Sequence, residues 1–415
     1  MRNVPELLCP AGNMQKLKSA LRFGADAVYC AGKVFGMRAA ADNFELPELF
    51  EAIAFTHSLG KKLYLTVNTI PGWREYDALT DFLSSLTACP PDGLIIADPG
   101  VLLRAKALLP GVEIHISTQA GAVSADDCVF WYGQGAKRVV LARELTFEDL
   151  REIKKRIPGD LELEVFVHGS MCVSFSGRCL LSNYLTGRSA DKGACTQPCR
   201  WNYKLYELEE EERPGKRMPI LENEQGTFIM SSMDLCMIEH IPELVDAGVS
   251  ALKIEGRMKS AYYAAVTANT YRMALDAYAR DPSRYVFNRE WMNELCSVSH
   301  RAYCTGFFFD SPRAAAQLVS ESGYIREKAY LAVAAGYDPS TGRATFVQHN
   351  KAFSGQTAEL LTPGRCGRAF VLSDLRSEAG DPIDSTPHPL MVFSARVPFA
   401  VREGDILRGV NNQQE

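Results

Sequence analysis

The sequence lacks any run of about 18 consecutive apolar residues, the length needed to cross a bilayer. Its start, Met1-Arg2-Asn3-Val4-Pro5, shows no charged segment leading into an apolar core. Neither a membrane span nor a signal peptide is expected, and a cytoplasmic location is. Basic charge is not in excess, since 45 Lys and Arg against 50 Asp and Glu give a formal net charge of -5. That balance excludes a global electrostatic pull toward nucleic acid, so any phosphate contact must come from a local basic patch. The patterns of ordinary hydrolases are missing too. There is no His-Glu-x-x-His to hold a metal-bound water, and Ser174 and Ser176 do not sit in a Gly-x-Ser-x-Gly elbow.

What is present is a long chain, 415 residues with 47% hydrophobic content, enough for two cores. Short β-prone apolar runs recur between amphipathic stretches, the pattern of repeated βα units. Eight strands are expected near Leu7-Cys9, Ala27-Cys30, Lys62-Asn68, Gly93-Asp98, Glu113-Thr118, Arg138-Ala142, Leu163-His168 and Ala251-Glu255. Most are nearly continuously apolar, as strands covered on both faces must be. Eight such strands predict an α/β fold of the TIM-like (β/α)8 barrel type. Asn13, Thr146 and Ser260 are the expected caps of helices that follow them. From about residue 329 the pattern becomes alternating strands broken by turns such as Asp-Pro-Ser-Thr-Gly, which predicts a C-terminal small β-barrel domain at 329–415 after a barrel at 1–328.

The regular spacing breaks once, in an insertion at about 168–230 that follows the seventh strand. Its Glu207-to-Gly215 stretch, dense in charge, is expected to be a solvated hairpin tip. The insertion also carries four of the 12 cysteines: Cys172, Cys179, Cys195 and Cys199. Where disulfides rarely persist, a spaced cysteine group reads first as a metal or redox site. Four thiolates from one long loop suit tetrahedral zinc or an iron-sulfur cluster, and the spacing, unlike the paired Cys-x2-Cys of zinc ribbons, favours a cluster. Cys9, Cys30, Cys89, Cys128, Cys296, Cys304 and Cys366 are scattered singly and read as small packing residues, while Cys236 is a candidate substitute ligand.

In a barrel of this kind, polar residues at strand C-terminal ends converge on the active site. Those are Asn68, Asp98, Thr118 with Gln119, Arg143, His168, and Glu255 with Arg257. Asn68 and Asp98 serve equally well as caps of βα turns. Glu255 and Arg257 stand out, because closely spaced charges at a strand end are costly to bury unpaired.

The segment Glu164-Val165-Phe166-Val167-His168-Gly169-Ser170-Met171-Cys172, with Ser176-Gly177-Arg178-Cys179-Leu180-Leu181-Ser182, resembles the signature of the peptidase U32, or collagenase-like, family. Glu6-Leu7-Leu8-Cys9-Pro10-Ala11-Gly12-Asn13, Lys253-Ile254-Glu255-Gly256-Arg257-Met258-Lys259-Ser260 and Ser299-His300-Arg301 extend the likeness over nearly the whole chain. Members of that family include oxygen-independent hydroxylases that carry a 4Fe-4S cluster. The length and single C-terminal extension look most like the branch that makes 5-hydroxyuridine at the transfer-RNA wobble position and depends on prephenate. The resemblance thus implies cluster ligation by all four cysteines, transfer RNA as partner, prephenate as co-substrate, and a redox partner or paired family member. Binding a dicarboxylate calls for arginine, and Arg38, Arg143, Arg178 and Arg257 are the supply. Arg188, Lys192, Arg200, Trp201 and Tyr203 form a basic and aromatic stretch suited to RNA. Two alternatives remain open at this point: a collagenase-like peptidase using Cys172 with His168, and a noncatalytic iron-sulfur or redox-sensing protein.

Overall fold

The computed structural model describes residues 4–38, 41–172, 179, 181–188, 190, 193–198, 221–223, 226–228, 233–309, 325 and 327–410. Seven strands run parallel in chain order: β1 (Glu6–Pro10), β2 (Ala27–Ala31), β3 (Lys62–Val67), β4 (Gly93–Ile96), β5 (Glu113–Ile116), β6 (Arg138–Val140) and β7 (Glu162–Ser170). A hairpin, β8 (Leu221–Asn223) with β9 (Gly226–Phe228), and a short β10 (Asp234–Cys236) come next. Then β11 (Ala251–Ile254) pairs in parallel with both β7 and β1 and closes the barrel. All eight expected strands are present, each within two residues of its expected bounds. The three caps hold as well, with Asn13, Thr146 and Ser260 side chains accepting from the amides of Lys16, Asp149 and Tyr263. Among the described residues no helix is long and apolar enough to cross a membrane.

Outward-facing residues of the barrel strands, such as Leu7, Val28, Leu63 and Leu252, join the surrounding helices in one apolar core. The inside is different. Leu8, Ala27, Tyr29, Tyr64 and Ile95 form a small separate cluster, and below it lie charges. Arg138 donates to Glu6 at 2.7 Å, Glu162 at 2.8 Å and Glu164 at 3.2 Å, and Lys253 Nζ reaches Glu164 at 2.8 Å. Glu6, Arg138 and Glu162 open their strands, so this ionic network is the floor of the barrel. Charges so deeply placed persist only because each is paired.

One irregularity matters for the site. Lys253 of β11 pairs with Phe166 of β7, but Ile254 pairs with His168, leaving Val167 as an extra residue. Such a bulge puts two residues of one strand opposite one of the other and re-aims the side chains beyond it. On its other side β7 pairs antiparallel with β10, which brings Cys236 opposite His168, and β12 (Tyr303–Cys304) adds to β10.

The C-terminal domain is a curled antiparallel sheet of β13 (Lys328–Asp338), β14 (Arg343–Gln348), β15 (Thr357–Leu361), β16 (Arg368–Val371), β17 (Ser373–Ser377), β18 (Val392–Arg396) and β19 (Ile406–Val410), wrapped around its own apolar core. Its first strand begins at Lys328. Arg408, fully buried, fastens it to the barrel by donating to Glu294 at 2.6 Å. The charged stretch 207–215 lies outside the described residues.

Candidate active site

At the C-terminal end of the barrel, loops after β2, β6 and β11 bring three arginines around one carboxylate. Arg143 Nη2 lies 3.4 Å from Glu255 Oε2, and Arg38 Nη2 lies 3.7 Å from Glu255 Oε1. Arg143 is fixed twice more: its Nη1 donates to the Ser170 carbonyl at 2.7 Å, and its guanidinium sits 3.9 Å over the Phe166 ring. Arg257 is buried and points back under the loop after β2, donating to Asn43 Oδ1 at 3.3 Å and to the Met37 carbonyl. Lys253 joins from below, its Nζ 4.6 Å from the Tyr29 ring centroid.

Burial pushes the Glu255 carboxyl upward, but the combined field of Arg38, Arg143, Arg257 and Lys253 outweighs it and holds the group below the ordinary glutamate range. Glu255 in turn raises Arg38, and the Cys172 and Cys195 thiols act in the same direction. Among the described residues four cations thus share the mouth with a single carboxylate, Lys253 being also engaged with Glu164. The surplus is positive, and it favours an anionic ligand. These side chains leave a cavity of about 50 Å³. Arg38, with 35% of its side chain exposed and a left-handed backbone (φ of +69°), is the most accessible of the three arginines.

Of the other rim residues expected from the sequence, Gln119 and Asn68 line this cavity. Asn68 is committed to holding loops together, accepting from the Met37 amide at 3.1 Å and donating to Ser117 Oγ at 3.3 Å. Asp98 is not brought in. Its carboxylate caps the helix Pro99–Leu108 through the Val101 amide at 3.0 Å and takes the Tyr76 hydroxyl at 2.9 Å, the turn-capping role. His168 is also elsewhere, because the β7 bulge turns it outward. Its ring is buried among Tyr263, Tyr271 and Tyr303 at centroid distances of 6.0, 5.5 and 5.3 Å, and neither nitrogen has a hydrogen-bond partner among the described residues. Burial drives its pKa down to about 3. Lys253 was missed by the sequence reading. The signal was there, since Ala251, Lys253 and Glu255 alternate along one strand and a lysine two residues before a mouth glutamate shares its face.

Cys199 and Arg178 lie outside the described residues, as do Lys192, Arg200, Trp201 and Tyr203. Cys172, Cys179 and Cys195 are described, half-buried and in no disulfide. Cys172 follows β7 directly. The Cys195 segment rests on the mouth itself: at Gly193, φ is +76° and an added Cβ would stand 2.8 Å from the Met37 Cα and 3.0 Å from the Arg38 nitrogen. Only glycine allows that approach with that backbone. The next turn is stitched to the helix Leu181–Thr186, just after Cys179, by the Thr196 amide donating to Ser182 Oγ at 3.0 Å. Cys195 Sγ accepts from the Gln197 amide at 3.4 Å. Among the described residues no three His, Cys, Asp or Glu side chains are grouped closely enough to hold a metal ion. The free thiols of Cys172, Cys179 and Cys195 are of the donor type that suits a thiolate-bound group. Cys236 does not belong to this segment, for it is buried in the barrel wall, which pushes its thiol up to about 12.

Comparison with known proteins agrees with this architecture. Residues 12–318 match Peptidase family U32, and residues 326–408 match the Peptidase family U32 C-terminal domain. The chain is 36% identical over 404 residues to tRNA hydroxylation protein P1 of Bacillus subtilis, covering 97% of this chain and 94% of that one. It is 34% identical over 420 residues to tRNA hydroxylation protein P of Escherichia coli, covering 92% and 91%. A protein named collagenase from Porphyromonas gingivalis is 31% identical over 351 residues, covering 82% of each chain.

Proposed function

The chain belongs to peptidase family U32, and we propose that it hydroxylates transfer RNA without molecular oxygen, forming 5-hydroxyuridine at the wobble position with prephenate as co-substrate. Two relatives named tRNA hydroxylation proteins, similar over more than nine-tenths of both chains, support the RNA substrate. The observation that carries the rest is the cationic mouth, where Arg38, Arg143 and Arg257 outnumber Glu255. A dicarboxylate matches that surplus, because guanidinium forks bind carboxylates with two donors each.

In this reading Arg143, braced by Ser170 and Phe166, presents a fixed guanidinium to one carboxylate of the co-substrate. Arg38, the more accessible, takes up the second. Glu255 stays ionised and orients both guanidiniums. Arg257 and Asn68 hold the Met37–Arg38 backbone in place through the Met37 carbonyl and amide. Cys172, Cys179, Cys195 and Cys199 are the ligands we assign to a 4Fe-4S cluster, which when bound supplies one-electron transfer beside Arg38. A peptidase acting through Cys172 needs a base beside it, and the candidate, His168, makes no hydrogen bond to any thiol among the described residues.

The direct test is anaerobic titration calorimetry of the cluster-loaded protein with prephenate. Binding that weakens roughly 10- to 100-fold in Arg143→Gln, the cost of losing a charge-assisted contact, supports the reading. Absence of binding to the wild-type protein contradicts it.

A further inference from the structure

The loop after β3 carries a side chain that the fold does not use. Trp73 is 80% exposed, the highest value among the large apolar residues described, and it stands in a short turn, Trp73–Glu75, closed by Glu75 accepting from the Gly72 amide. The Arg74 guanidinium lies 4.7 Å from the Trp73 ring centroid. An indole that is so exposed and has a cation against one face keeps its other face open. Ile70 of the same loop and Val34 of the neighbouring loop after β2 are also exposed, at 45% and 48%, and Lys33 beside Val34 is exposed as well.

This rim is continuous with the mouth. Thr69 ties the two loops through Phe35, its amide and hydroxyl both donating to that carbonyl at 3.3 and 3.2 Å. Asn68, which lines the cavity, is five residues from Trp73, so their Cα atoms are at most about 18 Å apart. That is the reach of a few nucleotides of single strand. A flat aromatic face backed by the Arg74 guanidinium suits a base with its phosphate: the ring stacks and the cation neutralises.

We propose that Trp73 is a stacking platform for an unpaired base of the RNA, neighbouring the one that enters the barrel mouth. The proposal rests on the transfer-RNA reading and adds to it a binding residue and the single-stranded character of the contact. Stacking of this kind is tolerant of base identity, so Trp73 contributes to holding a loop and not to selecting its sequence.

The test uses the full-length, cluster-loaded protein with two probes: unmodified transfer RNA, and an RNA duplex of equal length without unpaired bases. Trp73→Ala should bind transfer RNA roughly 5- to 100-fold more weakly, Trp73→Phe should bind within about threefold of wild type, and duplex affinity should not change in either. Intrinsic fluorescence quenching on addition of transfer RNA should be diminished in Trp73→Phe. Equal binding of transfer RNA by wild type and Trp73→Ala overturns the platform while leaving the RNA reading intact. Failure of the wild-type protein to bind transfer RNA overturns that reading instead. An equal loss of duplex binding in Trp73→Ala, or a lowered melting temperature not restored in Trp73→Phe, assigns Trp73 a structural role and also overturns the proposal.

Discussion

Arg143 and Glu255 face each other at 3.4 Å across the barrel mouth, one from the loop after β6 and the other from the end of β11, 112 residues away. Closure of the barrel makes them neighbours, and the surrounding cations keep the carboxylate ionised. Because the folded pKa of Glu255 is depressed, its contribution is fully present above the unfolded glutamate value of about 4.3. It is lost as the pH falls through the lower folded value. Glu255→Gln should therefore lower the melting temperature at pH 7 and make the decline below about pH 4.3 shallower than in wild type. Thermal melts at several pH values check this, and an unchanged acid slope contradicts it.

His168 acts on stability through the opposite kind of group. Folded, it stays neutral down to about pH 3, whereas in the unfolded chain it takes a proton below about pH 6.5. Stability then falls as the pH drops from 6.5 toward 3, by at most about 1.4 kcal/mol per pH unit. His168→Phe should flatten that part of the curve while hydroxylation persists, since the ring does not reach the mouth. Loss of activity in a variant that folds would restore a catalytic role to His168.

Asp98→Ala removes a helix cap and a partner of the Tyr76 hydroxyl. A loss of about 1 kcal/mol in urea denaturation is expected, with prephenate and RNA affinities unchanged. A change in either affinity would return Asp98 to the binding site.

Gly193→Ala should lift the cysteine segment from the mouth, because the added methyl meets the Met37 and Arg38 backbone and the residue must keep a φ of +76°. The iron-to-protein ratio after anaerobic purification should fall, with the melting of the barrel little altered. Full iron occupancy in this variant contradicts the placement of the cluster beside Arg38.

The barrel was legible in the sequence because most of its strands are nearly continuously apolar runs separated by capped helices. The mouth was legible in part. Arg38, Arg143, Glu255, Arg257, Asn68 and Gln119 do converge, as residues at strand ends must. His168 misled because Glu164, Phe166 and His168 alternate as if all faced inward, and the bulge opposite Ile254 breaks the alternation at the last step. Asp98 misled because one residue type serves both capping and binding. Lys253 was overlooked as a charge inside an apolar run, and Trp73 because exposure is not written in a loop's sequence.

The central claim, hydroxylation of transfer RNA at a cationic mouth beside a cysteine-bound cluster, is tested most directly by mass spectrometry of transfer-RNA nucleosides. The strain should lack this protein and its paralogues and be complemented with wild type, Cys195→Ser or Arg143→Gln. The account predicts that 5-hydroxyuridine derivatives disappear on deletion, return with wild type, and stay absent or strongly reduced with either variant. Unchanged levels of these nucleosides in the deletion strain would contradict it.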